Sequence, residues 1–259
     1  MSLLRVEALN FAYVRGSGRV PAVRAVDLAL AQGEVLGIVG ESGSGKSSLA
    51  RCLVGLSRPD SGSIMLDGAV LGRRRTREQH RIMQMVFQDP RSSLNPRMNV
   101  FRQIEEGWRT HVSVRPADPR QAAAALLERV GLSAEYLDRR PAQLSGGQAQ
   151  RVSIARALAV SPRLLICDEA VSALDVSVQT QVLALLAEIR RELNLAIIFI
   201  SHDLGVVRQI SDRVAVMYLG QVVETGPVEE IFERPRHAYT RTLLSSALDM
   251  AADLPGGAA

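Results

Sequence analysis

The feature that most constrains this chain is the stretch Gly40–Ser47, which fits the pattern G-x-x-x-x-G-K-[ST]. It follows an apolar run, Val35–Val39, that is typical of a buried β-strand, and it precedes helical spacing over Ser47–Leu56. A strand, a glycine-rich loop and a helix in this order make a cradle of backbone N–H groups that binds phosphate. The order therefore predicts an α/β fold with a phosphate-binding loop, the alternative being an ordinary Gly/Ser turn before a helix.

Each residue type in this loop suits the phosphates of a nucleotide. The glycines allow backbone angles and close approaches that a Cβ would block. The Lys46 ammonium is a compact charge for the β- and γ-phosphates, and the Ser47 hydroxyl is a ligand for Mg²⁺. The predicted nucleotide-binding residues of this segment are Gly40, Glu41, Ser42, Gly43, Ser44, Gly45, Lys46, Ser47 and Ser48.

The choice of basic residue along the chain also singles out position 46. The chain has 31 basic residues, of which only Lys46 is a lysine. Codon usage in a GC-rich genome explains an arginine excess and makes most of these arginines interchangeable surface charge. A guanidinium is planar and large, whereas an ammonium is a point charge on a flexible stem. A tight cradle of amides therefore favours lysine at position 46.

Composition excludes several classes of protein. With 47% hydrophobic and 22% charged residues, the chain has ordinary globular composition. No apolar run approaches the ~20 residues that cross a bilayer, and no signal-peptide pattern opens the sequence. Two cysteines are too few for a disulfide scaffold, and a net charge of +4 does not by itself imply nucleic-acid binding. We therefore expect a soluble, cytoplasmic protein.

A second apolar run, Leu164–Cys167, ends in the adjacent acids Asp168 and Glu169. Desolvated carboxylates need a partner, which a metal beside the phosphates would supply. Asp168 is expected to hold Mg²⁺ through water, and Glu169 to orient or deprotonate the attacking water. The alternative is an acid pair that caps a turn or helix.

Two further polar residues follow apolar runs. His202 follows Leu195–Ser201 and could contact the γ-phosphate, although such a histidine is more often structural. Gln88 follows Met83–Phe87 and could reach the same metal or water, although alone it is an ordinary loop residue.

A third segment, Leu144–Gln148, places small residues before a predicted helix over Gly147–Val160. Ser145 is a natural N-cap, and such a helix N-terminus is a second anion site. One nucleotide does not need two such sites, so a head-to-tail dimer is predicted. Ser145, Gly146, Gly147 and Gln148 of one subunit would then close on ATP in the other. The alternative is a Gly-rich helix cap.

Strand and helix patterns alternate along most of the chain, which predicts a largely parallel sheet. Residues 1–34 indicate short strands. No convincing strand lies between Asn99 and Pro162, so a helical lobe is expected within the α/β core.

Together these motifs resemble the nucleotide-binding subunit of an ABC transporter, over nearly the whole chain. In family order they are Walker A at Gly40–Ser47, the Q-loop at Gln88, the signature motif at Leu144–Gln148, Walker B with its catalytic glutamate at Leu164–Glu169, the D-loop at Ser172–Asp175 and the switch histidine at His202. Tyr13 matches the aromatic residue that stacks on adenine. In this resemblance Glu169, His202, Gln88 and Lys46 are catalytic, and Ser47, Gln88 and Asp168 serve the metal.

The resemblance implies a P-loop NTPase core with a mostly parallel sheet, an N-terminal antiparallel β subdomain and an inserted helical subdomain. The expected boundaries are residues 1–87 and 163–230 for the core with its β subdomain, 88–162 for the helical subdomain and 231–259 for a tail. The implied cofactors are ATP and Mg²⁺. The implied partners are a second ATPase subunit, identical or homologous, transmembrane permease subunits and, indirectly, a substrate-binding protein. The expected location is peripheral, on the cytoplasmic face of the inner membrane.

Finer matches narrow the resemblance to the oligopeptide, dipeptide and nickel importer group. They are Gln88–Pro96, Asp175–Gln179 and Pro235–Leu244, the last with Ala238 where proline is commoner. Ala170 and the short tail without a cysteine cluster look like nickel or metallophore subunits, so no iron–sulfur site is expected. The cargo stays open between peptides and nickel or metal-chelate complexes.

Two other functions are compatible with parts of the sequence. A non-transport ABC ATPase acting on nucleic acid or ribosomes has one local support, the basic residues Arg73, Arg74, Arg75, Arg77 and Arg81, which are more typical of a solvated face. Export rather than import is disfavoured by the importer-like Q-loop and tail.

We expect Lys46→Arg to abolish ATP hydrolysis although it keeps the positive charge, because the guanidinium does not fit the cradle. Steady-state phosphate release measures the effect. Wild-type turnover in this variant would contradict the assignment of Lys46.

Overall fold

The computed structural model describes residues 2–16 and 18–252, with side chains described up to residue 246. The chain divides into two compact units. The first unit contains residues 31–33 and Leu71–Ile198, and the second contains Ser2–Leu30, Glu34–Val70 and Phe199–Ala259. Residues 253–259, the end of the predicted tail, lie outside the described residues.

The strands and helices of the described residues are numbered in chain order. The strands are β1 (Ser2–Arg15), β2 (Gly18–Ala31), β3 (Val35–Val39), β4 (Ser61–Leu66), β5 (Ala69–Val70), β6 (Met83–Val86), β7 (Leu164–Asp168), β8 (Ala196–Ile200), β9 (Arg213–Tyr218) and β10 (Gln221–Pro227). The α-helices are α1 (Lys46–Val54), α2 (Arg77–Ile82), α3 (Pro90–Ser93), α4 (Val100–Thr110), α5 (Pro119–Arg129), α6 (Gly146–Leu158), α7 (Val176–Leu193), α8 (Leu204–Ile210), α9 (Val228–Glu233) and α10 (Ala238–Ala252). Short 3₁₀ helices cover Val112–Val114, Ala134–Asp138 and Pro141–Gln143.

The second unit contains a sheet with strand order β2-β1-β4-β5, in which β1 and β5 both pair antiparallel with β4. Along β2 the residues Val26, Leu28 and Leu30 are buried and alternate with exposed ones. This period of two is what one covered and one solvated sheet face require. The predicted N-terminal antiparallel sheet is confirmed, with strands longer than the sequence suggested.

The second unit also holds β3, β9 and β10. Strand β3 runs parallel to β9, from Leu36 opposite Arg213 to Val39 opposite Val216, and β10 pairs antiparallel with β9. All five residues of β3 are buried, as its unbroken apolar run predicts. The strand therefore delivers Gly40 to the carboxyl end of a parallel pair.

In the first unit β6 and β7 run parallel, from Met83 opposite Leu164 to Val86 opposite Cys167. Strand β7 is buried throughout, and β8 is its next neighbour in strand order. Because β6 and β7 are in register, the residues that follow them emerge at the same edge. The predicted α/β class with mostly parallel strands is confirmed.

Residues 99–162 contain helices and turns but no strand, as predicted. Side-chain N-caps start the principal helices, because Asn99, Asp118 and Ser145 each accept a backbone N–H from the first turn. Helix α6 is largely buried, and α4 and α5 pack with it.

Sequence reasoning did not identify α4. Its buried residues Val100, Ile104 and Trp108 recur at helical spacing after the Asn99 cap, and the Trp108 indole N–H donates to the Ala159 carbonyl at 2.6 Å. Apolar residues at this spacing with polar residues between them are the signal of an amphipathic helix, and this signal is present in the sequence.

Among residues 2–16 and 18–252, no helix combines the length and the apolar character needed to cross a membrane.

Candidate functional site

The loop between β3 and α1 is held by close backbone approaches. Gly40 has φ +148° and a Cβ on it would lie 2.1 Å from the Met217 carbonyl oxygen. Gly45 has φ +105° and a Cβ on it would lie 2.2 Å from the Ala22 carbonyl oxygen. Only glycine satisfies both the backbone angle and the contact at these positions.

The Lys46 side chain is buried and folds back on its own loop. Its Nζ donates to the carbonyl oxygens of Gly40 at 2.6 Å and Glu41 at 2.8 Å, and lies 3.4 Å from Ser44 Oγ. Such acceptors offset the cost of taking an ammonium out of water. They also fix the charge inside the loop formed by residues 40–45.

Tyr13 and Ser48, both predicted to contact the nucleotide, lie together. The Tyr13 hydroxyl is 3.1 Å from Ser48 Oγ, so β1 reaches the first turn of α1. The Tyr13 ring packs edge-on against Phe11, with ring centroids 4.8 Å apart and planes at 77°. Tyr13 remains 36% exposed, which leaves ring surface available for stacking.

Gln88 and Glu169 also lie together. Each follows one of the parallel strands β6 and β7, and Gln88 Nε2 donates to Glu169 Oε2 at 2.8 Å. This bond uses the nitrogen of the amide, so Oε1 is the atom of Gln88 with the chemistry of a cation ligand.

The backbone at Glu169 is unusual. Its φ is +50°, a left-handed conformation that costs a non-glycine residue about 1–2 kcal/mol. Its carbonyl accepts the Ser172 N–H at 3.2 Å and the Ser172 hydroxyl at 2.9 Å. The turn over Glu169–Ser172 therefore holds the carboxylate in place at the end of β7.

Three ionisable residues near Glu169, namely Cys167, Asp168 and Asp175, have defined surroundings. Asp168 is buried at the end of β7. Burial, followed by the charge of Asp168, raises the pKa of the Cys167 thiol to about 12, so this cysteine is neutral. Asp175 caps α7, and hydrogen bonds from the Val178 N–H and the Ser177 hydroxyl hold the pKa of its carboxyl below the usual range.

The donor atoms of the predicted metal ligands fit Mg²⁺. Ser47 offers a hydroxyl, Gln88 an amide oxygen and Asp168 a carboxylate, and Mg²⁺ prefers such hard oxygen ligands. No cluster of three His, Cys, Asp or Glu side chains that could hold a metal ion occurs in the described residues.

The start of α6 is a capping box. Ser145 Oγ accepts the Gln148 N–H at 3.2 Å, and Gln148 Oε1 accepts the Ser145 N–H at 2.9 Å. A Cβ on Gly147 would lie 2.5 Å from Val178 Cγ1, so glycine there lets the helix end pack on α7. Gly146 lies close to Leu174, since a Cβ on Gly146 would lie 3.8 Å from Leu174 Cδ2.

His202 lies between Ser201 and Asp203, each of which is held by a hydrogen bond. Ser201 donates its N–H to the Ile38 carbonyl at 3.3 Å, and Asp203 caps α8 by accepting the Val206 N–H at 3.1 Å. His202 is exposed between β8 and α8. The position of His202 is thus set by its neighbours on both sides.

Sequence reasoning missed several positioning contacts. Arg91 Nη2 donates to the Leu144 carbonyl at 3.2 Å, and Arg156 Nη1 donates to the Ser93 carbonyl at 2.6 Å. The Tyr136 hydroxyl lies 3.0 Å from Gln148 Nε2, which donates to it. These arginines looked like surface charge, because their partners are backbone carbonyls that no sequence pattern reveals.

One arginine of the basic stretch has a structural role. Arg81 pairs with Glu78 at 2.5 Å and donates to the carbonyls of Val160 and Ser161 at 3.0 and 3.1 Å. Its guanidinium is therefore bonded to other parts of the chain.

The sequence model of the family described as "ABC transporter" matches residues 23–172, more than half of the chain. The chain belongs to the ABC transporter family. As a member it carries the family's ATP-binding domain and hydrolyses ATP, which confirms the predicted ATPase activity. A second model, described as "Oligopeptide/dipeptide transporter, C-terminal region", matches residues 223–257.

Curated relatives carry related descriptions. The chain is 48% identical over 256 residues to the probable peptide ABC transporter ATP-binding protein y4tS of Sinorhizobium fredii, covering 95% of this chain and 72% of that one. It is 45% identical over 249 residues to the oligopeptide transport ATP-binding protein OppF of Bacillus subtilis, covering 94% and 82%.

Solved ABC cassettes share the fold. The cbiO1 structure from Clostridium perfringens, part of the ABC transporter complex cbiONQ, has a TM-score of 0.79 at 30% identity, covering 98% of this chain and 99% of that one. The ATP-binding cassette MJ0796, in a dimeric post-hydrolysis state with ADP and Pi, has a TM-score of 0.77 at 27% identity, covering 87% and 98%.

Alanine at the loop glycines is expected to lower the free energy of unfolding. Gly43→Ala meets no atom within 4 Å but has φ +80°, so we expect destabilisation of about 1–2 kcal/mol from the backbone angle alone. Gly45→Ala adds the overlap with the Ala22 carbonyl and should destabilise more. Urea unfolding without nucleotide, followed by circular dichroism, compares them. Equal stability of the two variants would contradict the role given to the Ala22 contact.

Proposed function

We propose that this chain is the ATP-hydrolysing subunit of an ABC importer that moves peptides across the cytoplasmic membrane. The observation that carries the proposal is the C-terminal region, residues 223–257, which matches the oligopeptide/dipeptide transporter model behind the ATPase match at 23–172. Relatives named for oligopeptides, D,D-dipeptides and glutathione support it. Because these names all concern peptides, a peptide cargo is favoured over nickel or a metal chelate.

In this proposal residues 40–48 bind the triphosphate of ATP. Backbone N–H groups of the loop and the Lys46 ammonium face the phosphates. The hydrogen bonds from Nζ to the Gly40 and Glu41 carbonyls support this role, because they place the ammonium within the loop. The Tyr13 ring stacks on adenine, supported by its link to Ser48 at the start of α1.

Glu169 orients or deprotonates the attacking water in this proposal. The 2.8 Å bond from Gln88 supports it, since an amide donor holds the carboxylate oxygen at one position. Ser47 and Gln88 would hold Mg²⁺ through their side-chain oxygens, and Asp168 would hold it through water. When bound, Mg²⁺ neutralises phosphate charge. His202 contacts the γ-phosphate, and its exposure at the end of β8 is consistent with that role.

We propose that ATP closes a head-to-tail dimer of ATPase subunits. Ser145, Gly146, Gly147 and Gln148 of one subunit then contact the nucleotide of the other. The dimeric state described for the MJ0796 cassette supports this arrangement by similarity. The second subunit is an identical copy or a homologue.

The remaining partners follow from the importer role. The ATPase pair binds transmembrane permease subunits peripherally, on the cytoplasmic face of the inner membrane, and acts with a substrate-binding protein through them. Residues from Gln88 to about Arg115 touch the permease. Because a ligand shifts an equilibrium only by its differential affinity, ATP must bind the closed dimer more tightly than the open one.

The Glu169→Gln variant tests the hydrolysis and dimer proposals. It keeps an oxygen for the Gln88 amide but loses the base, so it should bind ATP, accumulate as a dimer and lose most turnover. Size-exclusion chromatography with light scattering and a phosphate-release assay measure these properties.

The matched control for this variant is Glu188→Gln, an exposed position on α7 that should keep wild-type turnover. A Glu169→Gln protein that stays monomeric at saturating ATP, alone and mixed with the second ATPase of its transporter, would contradict the dimer proposal.

The cargo proposal is tested with the intact transporter in proteoliposomes. We expect a peptide-loaded binding protein to raise ATPase activity several-fold above the unloaded state. Stimulation by a nickel chelate and not by peptides would reassign the cargo, and stimulation only by RNA or DNA would replace the importer with a nucleic-acid ATPase.

A further inference from the structure

A tyrosine of the C-terminal region contacts the phosphate loop. The Tyr239 hydroxyl, in the first turn of α10, accepts the backbone N–H of Glu41 at 3.0 Å. Tyr239 lies within the segment 223–257 that matches the oligopeptide/dipeptide transporter C-terminal region. The contact therefore joins the part of the chain that marks the importer group to the loop that holds Lys46.

The Tyr239 side chain is fixed by a stacked partner. Its ring lies on that of Tyr218, with centroids 4.1 Å apart and planes inclined by 29°. Tyr218 ends β9, directly after Met217, whose carbonyl lies against Gly40. The Tyr218–Tyr239 stack and the loop over residues 40–45 therefore both contact the C-terminal end of β9.

The chain before Tyr239 is clamped as well. The Glu224 carboxylate of β10 accepts the backbone N–H groups of Arg236 at 2.7 Å and His237 at 3.0 Å. The Tyr239 N–H donates to His237 Nδ1 at 3.2 Å. These bonds hold the start of α10 against β10, so the Tyr239 hydroxyl has little freedom to move.

The same loop residue connects Tyr239 to the ammonium. Glu41 gives its N–H to Tyr239, and its carbonyl accepts Lys46 Nζ at 2.8 Å. Glu41 is therefore hydrogen-bonded both to the C-terminal region, through Tyr239, and to the ammonium of Lys46. A rotation of the backbone at Glu41 would move both contacts together.

We propose that Tyr239 is a positioning residue for the ATP site, because its hydrogen bond to Glu41 holds the loop that orients Lys46. The C-terminal region then sets nucleotide affinity from outside the Walker A motif. This inference rests on the proposed role of Lys46 in phosphate binding. Tyr239 itself touches no phosphate and acts through the loop.

The Tyr239→Phe variant removes the hydroxyl and keeps the ring. A hydrogen bond of this kind is worth about a 2- to 10-fold change in an equilibrium constant. We expect Kd for ATP, measured by competition with a fluorescent ATP analogue on the full chain, to rise about 2- to 10-fold. KM for ATP should rise in parallel while kcat stays within a factor of about two, because bound ATP still meets the same catalytic groups.

The matched control is Tyr218→Phe, which changes the other member of the stack in the same way. Tyr218 makes no contact with the Glu41 N–H, so Kd and KM should equal the wild-type values. AMP, which carries no β- or γ-phosphate, provides a second control, since Tyr239→Phe should leave its affinity unchanged.

The outcomes separate this inference from the proposed function. Unchanged ATP affinity in Tyr239→Phe, equal weakening in Tyr218→Phe, or equal weakening of AMP and ATP would each overturn the role of Tyr239. If Lys46→Ala binds ATP as tightly as the wild type, the proposed phosphate site fails instead. A weaker ATP affinity confined to Tyr239→Phe, with kcat and the affinity for AMP unchanged, supports the inference.

Discussion

The loop over residues 40–45, which we propose to bind phosphate, depends on two places where glycine α-carbons meet backbone carbonyls of other strands. Gly40 lies against the Met217 carbonyl and Gly45 against that of Ala22, at separations that a Cβ would reduce to little more than 2 Å. Both contacts occur at positive φ, so no other residue meets the two requirements at once. Because the loop is packed from behind, its amides and Lys46 hold their geometry before any nucleotide arrives. Preorganised groups lose less conformational freedom when a ligand binds.

Parallel pairing explains the second group of site residues. Gln88 and Glu169 are 81 residues apart in sequence but follow neighbouring strands in register, and their side chains meet at 2.8 Å. The left-handed backbone at Glu169 and the hydrogen bonds from Ser172 then aim the carboxylate. A strained residue stays in place only where its surroundings over-determine it, and such positions concentrate at functional sites.

Much of this could be predicted from the sequence, because the relevant signals are local. The buried strands β3 and β7 are unbroken apolar runs, and the loop at residues 40–45 has a strict spacing between glycine and lysine. The capping box at Ser145 and Gln148 is likewise visible in four consecutive residues. What could not be predicted are contacts between distant segments through groups that look ordinary. Arg91 and Arg156 donate to backbone carbonyls, and Tyr239 accepts from a backbone N–H. Backbone groups occur at every position, so no residue pattern specifies which of them a side chain will reach.

The burial of Lys46 has a chemical consequence. Its ammonium is the chain's only lysine side chain, and it is 5% exposed and hydrogen-bonded to the loop carbonyls. Acylation, carbamylation and Schiff-base formation all need an amine that can lose its proton, which a guanidinium does not do in proteins. Every other basic side chain counted in the sequence is an arginine, and its guanidinium does not enter these reactions. Covalent lysine chemistry in this protein is therefore confined to the phosphate loop, where any adduct replaces the charge that the site is built around.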